Sequence, residues 1–165
     1  MEALESPLLR TQVSAQGAIA PGPAPDNAEL SCGRRESAEL VELARGRGAR
    51  TIAVGSGRDA GVRDTVETLA DAWEAQGGEV VLDLSWPEVA ASWLRQATRF
   101  AASEADLWIM FGPQLGWAQM TRRLLWSTPW EPGRTLVSAQ LADPRVLDLV
   151  GLHNLKGIAG PGIQL

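Results

Sequence analysis

The residues able to do chemistry are few, and they gather behind short apolar runs. Gly55-Ser56-Gly57-Arg58-Asp59-Ala60-Gly61 follows Thr51-Ile52-Ala53-Val54 and reads G-x-G-x-x-x-G, one residue longer than the dinucleotide fingerprint. Glycines at such a place let a pyrophosphate approach the backbone at a helix N-terminus. Asp83, near the end of the next β-like run, stands where a ribose-binding carboxylate is expected. Gly55, Gly57, Gly61 and Asp83 therefore define one reading, a nucleotide-binding enzyme domain. Against it, Arg58-Asp59 puts a carboxylate where the phosphate should lie, and Asp59 is equally explained as a helix N-cap. Asp59, Asp83 and Glu88 would form an acid/base set if they converged, as a hydrolase needs. Glu88 also completes Ser85-Trp86-Pro87-Glu88, which has the form of a capping box. Nucleophilic catalysis lacks parts: there is no G-x-S-x-G elbow, and His153, in Gly151-Leu152-His153-Asn154, is the sole histidine. Cys32 has no histidine beside it and reads as an incidental thiol. One cysteine and one histidine leave no multi-cysteine zinc site and no histidine-rich metal site. No catalytic residue, metal or cofactor is assigned.

The 165 residues amount to one domain, with 45% apolar and 21% charged residues, an ordinary globular balance. Twenty acidic against 15 basic residues give a net charge of −5, which argues against a nucleic-acid partner. No apolar run approaches the roughly 18 residues of a membrane span. Seven tryptophans stand beside no tyrosine. Met1 to Pro7 is acidic where a secretory leader needs positive charge, so no export signal is recognisable in the chain.

Residues 1–35 read as a linker or loosely ordered segment. Pro21, Pro23 and Pro25 alternate there, and Leu8 to Val13 has the character of a short strand. From Glu36 to Leu165 the pattern is a repeating βα unit. A helix is expected from Glu36, with Leu40, Val41 and Ala44 on one face, stopped by Gly46 and Gly48. A strand over Thr51–Val54 is ended by Gly55. Val62, Val66, Leu69 and Trp73 then recur at helical spacing, and Gly77-Gly78 terminates that helix. Val80–Leu84 is the second strand, and a helix opening at the capping box carries Val89, Trp93, Ala97 and Phe100 inward. Leu107–Phe111 is the third strand, Gln114–Leu125 a helix, and Trp126–Gly133 a loop. Thr135–Ser138 is the fourth strand, Asp143-Pro144 caps a short helix to Val150, and Gly157–Ala159 is the fifth strand. Apolar strands alternating with helices predict an α/β, doubly wound, mostly parallel sheet of about five strands with helices on both faces. Trp73, Trp93 and Trp108 are expected in the core, and Trp126 and Trp130 at the surface.

Several pieces resemble, in order, the second lobe of type 1 periplasmic binding proteins, the substrate-binding components of ABC transporters, in particular the branched-chain amino-acid group. They are Gly48 to Val54, Asp59-Ala60-Gly61, Trp73 to Val81, and Ala105-Asp106-Leu107 through Gly112-Pro113. Leu136-Val137-Ser138, Leu141 to Pro144, Leu155 to Ile158 and Leu9-Arg10-Thr11 complete the set. The resemblance spans about Leu8 to Ile163. It implies a receptor lobe for a small polar solute such as an amino acid, with no catalysis. It also implies a periplasmic or extracellular place, a first lobe and membrane transporter subunits as partners. A lone lobe is expected to expose apolar surface where its partner lobe docks. The family's turn tyrosine has no counterpart, and its acidic contact after the second strand falls near Ala90, two residues from Glu88. The ligand-binding candidates at the strand ends are Ser56, Arg58, Asp59, Glu88 and Gln114, with Arg58 suited to a carboxylate. A protein-interaction module, as in outer-membrane activators of peptidoglycan synthases that share this fold, is the remaining alternative.

Overall fold

A computed structural model describes residues 27–165. The Leu8–Val13 segment and the alternating prolines lie outside the described residues. Helix α1 spans Asn27–Gly46, so it starts ahead of the Glu36 expected from the apolar pattern. The reason is the composition of its inner face. Leu40, Val41 and Ala44 are continued backwards by small residues, Ser37 and Gly33, at helical spacing. The Ser37 hydroxyl donates to the Thr65 carbonyl at 3.4 Å, and a Cβ on Gly33 would lie 3.3 Å from Thr65 Oγ1. A close helix crossing uses small side chains, and these leave no hydrophobic signature.

Strand β1 (Thr51–Gly57) leads to α2 (Ala60–Glu74), β2 (Glu79–Trp86), α3 (Leu94–Ala101), β3 (Leu107–Phe111) and α4 (Gln114–Ser127). Next come β4 (Thr135–Val137), α5 (Pro144–Asp148), β5 (Ala159–Gly160) and β6 (Ile163–Gln164). The strands form one six-stranded sheet in the order β2-β1-β3-β4-β5-β6. All neighbours are parallel except β5 and β6, an antiparallel hairpin turned at Pro161-Gly162. The doubly wound α/β architecture expected from the alternation is what the chain adopts, with the hairpin's second strand added. β6 is too short to show alternation in sequence.

Helices cover both faces. On one, Leu40, Val41 and Ala44 of α1 and Val66, Leu69 and Trp73 of α2 pack on Ile52, Val54, Ile109 and Leu136. On the other, Ala97 and Phe100 of α3, Trp117, Met120 and Leu124 of α4, and Val146 and Leu147 of α5 pack on Ala53, Trp86, Trp108 and Met110. β3 is central and buried at every position, as its unbroken apolar run requires. β2 is an edge strand and only partly covered.

Two local expectations fail for packing reasons. Gly55 does not end β1, which runs on to Gly57. A Cβ on Gly55 would sit 2.6 Å from the Trp86 ring and 2.9 Å from the Phe100 ring, so this glycine admits two core aromatics rather than a turn. The Ser85–Glu88 capping box does not form either. Ser85 and Trp86 stay in β2, the helix begins at Leu94, and Val89 is exposed. Trp86 is fully buried, and keeping it in the strand outweighs one helix cap. Trp73 and Trp108 are in the core and Trp93 packs against it. Of the two expected surface tryptophans, Trp126 is exposed on α4 and Trp130 is buried.

Candidate functional site

The sheet order reverses between β1 and β3, and in open α/β sheets ligands bind beyond the strand carboxyl ends at such a reversal. Here that crevice is narrow. Gly112, at φ +125°, brings its Cα so near β1 that a Cβ would lie 2.7 Å from the Gly57 nitrogen. A Cβ on Gly57 would in turn lie 2.7 Å from Pro113 Cδ. The remaining space is taken by Glu88, whose Oε2 accepts a 3.0 Å hydrogen bond from the Gly116 N–H in the first turn of α4. A Cβ on Gly116 would meet Glu88 Oε1 at 2.2 Å, so the glycine is what lets the carboxylate in. Glu88 thus caps α4 across the fold, a favourable place for negative charge. Its Oε1 is buried and has no partner among the described residues.

The other candidates are also engaged. Asp59 Oδ1 accepts from Gly61 N at 3.0 Å and Val62 N at 3.4 Å, capping α2. Ser56 is fully buried in β1, and its hydroxyl accepts from Arg63 Nη1 at 3.2 Å. Arg63 also grips Asp83 with both arms, at 2.9 and 2.7 Å. That hydrogen-bonded pairing is the main cause holding the Arg63 pKa above its ordinary value. Gln114 is exposed at the first residue of α4, two residues before Gly116. Arg58 is exposed and makes no ion pair among the described residues.

These arrangements remove the nucleotide reading. Gly55 and Gly57 belong to a strand, so no glycine loop precedes α2. The N-termini of α2 and α4 each hold the chain's own carboxylate where a phosphate would sit. Asp83 is spent on Arg63 rather than free for a ribose. Asp59, Asp83 and Glu88 each have a separate structural partner and form no acid/base pair with one another. His153 is exposed in a 3-10 turn, and no cluster able to hold a metal occurs among the described residues.

No family model matches the chain, and no curated protein does. Solved structures do. A putative branched-chain amino acid ABC transporter protein from Rhodospirillum rubrum aligns at TM-score 0.63 and 17% identity, over 76% of this chain and 35% of its own. A branched-chain amino acid ABC transporter periplasmic ligand-binding protein from Burkholderia xenovorans LB400 gives 0.62 and 13%, over 76% and 33%. A solute-binding protein from Rhodopseudomonas palustris HaA2, in complex with p-hydroxybenzoic acid, gives 0.60 and 16%, over 71% and 33%. The chain shares the fold of these receptors. It spans about a third of their length. The receptor fold thus bears out the resemblance read from the ordered fragments, at the level of architecture. No helix of the described residues is long and apolar enough to cross a membrane.

The sequence reading missed Arg95, Gln96 and Arg99 of α3, beside the edge strand. A depression of about 410 Å³ is lined by Arg58, Asp83, Leu84 and Ser85 together with Arg95, Gln96 and Arg99 of α3. The available signal was Arg95-x-x-x-Arg99, two guanidiniums one helical turn apart.

Proposed function

We propose that this chain is a solute-binding receptor lobe for a small polar ligand, taken up at the carboxyl ends of β1 to β3, and a binder rather than a catalyst. The observation that carries the reading is the likeness of three quarters of the chain to ABC transporter binding proteins. Of the five candidates, Arg58 and Gln114 are exposed and contact the solute. Ser56, Asp59 and Glu88 hold β1, α2 and α4 in place behind them. Val89 and Leu115 are large apolar side chains exposed at this same end, which supports contact with a second lobe. That lobe and membrane transporter subunits are the partners in this reading, and the periplasm or cell exterior is the compartment.

Thermal shift tests it, because a ligand that binds only the folded state raises Tm. The panel contains leucine, isoleucine, valine, 4-hydroxybenzoate, NAD, NADP and ATP. A rise with an amino acid or the benzoate that is lost in Gln114→Ala is the expected result. A rise with a nucleotide alone overturns the reading.

A further inference from the structure

Arg58, Arg95 and Arg99 share one hollow in a chain whose net charge is −5. Some arginines elsewhere are tied down, Arg45 to Gln76, Arg47 to the Gly133 carbonyl, Arg63 to Asp83 and Arg122 to the Leu149 carbonyl, and others such as Arg35, Arg123 and Arg145 stand singly at the surface. None of the three in the hollow donates a hydrogen bond or joins an ion pair among the described residues. Asp83 is the one carboxylate on the wall, and Arg63 already neutralises it with two bonds. Ser85 also lines the hollow, and its hydroxyl makes no hydrogen bond among the described residues. Three guanidiniums lining one hollow with no free counter-charge give it a positive potential, which favours a bound anion. Guanidinium forks fit planar or tetrahedral oxyanions bidentately.

We propose that the hollow beside the carboxyl half of β2 binds a small solute bearing two or more negative charges on oxygen, a polycarboxylate or a phosphate. Arg95 and Arg99 hold one acidic group, Arg58 holds another, and Ser85 donates to either. The hollow shares Arg58 with the receptor site proposed above, and its role in uptake rests on that reading.

Isothermal titration of the full chain with citrate, inorganic phosphate and pyrophosphate tests it, with acetate as the singly charged control. Binding tighter than about 1 mM that persists in salt at physiological strength is expected for citrate or for the phosphates. The responding probe says which oxyanion chemistry the hollow takes. Arg95→Gln/Arg99→Gln together should weaken it at least about tenfold, with Tm unchanged, since both side chains are exposed. Arg123→Gln, which removes one charge from the exposed α4 surface, should leave it intact. No heat from any of the three anions overturns the proposal, as does binding that the double variant keeps or that Arg123→Gln weakens equally. A response to leucine or 4-hydroxybenzoate with none to the anions overturns it while leaving the receptor reading standing.

Discussion

The crevice between β1 and β3 and the hollow beside β2 open at the same end of one sheet, and they are furnished in opposite ways. The crevice is lined by Gly57, Gly112 and Gly116 and filled by the Glu88 carboxylate. The hollow, of about 410 Å³, is lined by arginine and carries no free carboxylate. In the crevice, chain geometry is fixed by backbone approaching backbone within van der Waals limits, so no ligand enters between the strands and a solute there rests above them. At the hollow, long side chains are held by nothing, so a ligand can order them. The comparison teaches that a topological reversal marks a place where a ligand can bind only if the chain does not fill it with its own groups.

The sharpest way to break the contrast is Gly116→Ala. The new methyl would overlap the Glu88 carboxyl, at 2.2 Å from Oε1 and 2.7 Å from Cδ, and should expel it. A loss of about 2–3 kcal/mol in urea denaturation is expected. An unaltered midpoint would mean the crevice is not packed as described. Glu88→Ala comes next, at about 1–2 kcal/mol, because it removes the α4 cap and leaves Gly116 N–H without its acceptor.

Asp83→Asn acts on the other side of the comparison. The Arg63–Asp83 pair is about a third to two fifths exposed, so its loss should cost no more than about 0.5 kcal/mol. The same change adds positive charge at the wall of the hollow and should tighten citrate or phosphate binding in calorimetry. Asp106, at the opposite end of the sheet, is a control with the smallest effect. Its Oδ2 accepts from Arg50 N at 2.8 Å and Thr51 N at 2.9 Å, and these backbone bonds chiefly lower its pKa. A folded pKa below the unfolded value contributes stability above about pH 4 and loses it as pH falls through the folded pKa. Asp106→Asn should therefore lower Tm by no more than about 1 °C at pH 7, with the difference from the parent shrinking below pH 4.

The architecture was legible in the sequence where one kind of residue performs one task. Leu107 to Phe111 is apolar throughout because it is a central strand, and Val66, Leu69 and Trp73 repeat because one face of α2 is buried. Asp59 and Asp143 cap the helices that follow them, which short-range spacing predicts. What could not be read is what depends on partners distant in the chain. Gly55 looks like a turn until Trp86 and Phe100 are placed against it. Glu88 looks like a local cap until the fold delivers it to a helix 28 residues away. Arg58 and Arg99 share a wall only because β1 and α3 flank the same edge strand. Gly33 and Ser37 extend α1 through close helix contact, and small residues carry no periodic apolar signal.

The absence of tyrosine and the uneven burial of tryptophan give the chain a simple optical character. Near-ultraviolet excitation reaches indole alone, without energy transfer from phenol. Trp73, Trp86, Trp108, Trp117 and Trp130 are screened from solvent, whereas Trp126 is 75% exposed. Iodide should therefore quench a distinct red-shifted fraction of the emission that Trp126→Phe removes. Trp93, half-buried and donating to the Pro87 carbonyl at 2.9 Å, sits two residues before Arg95. Ordering of that arginine by a ligand would reach an intrinsic chromophore, with no label attached.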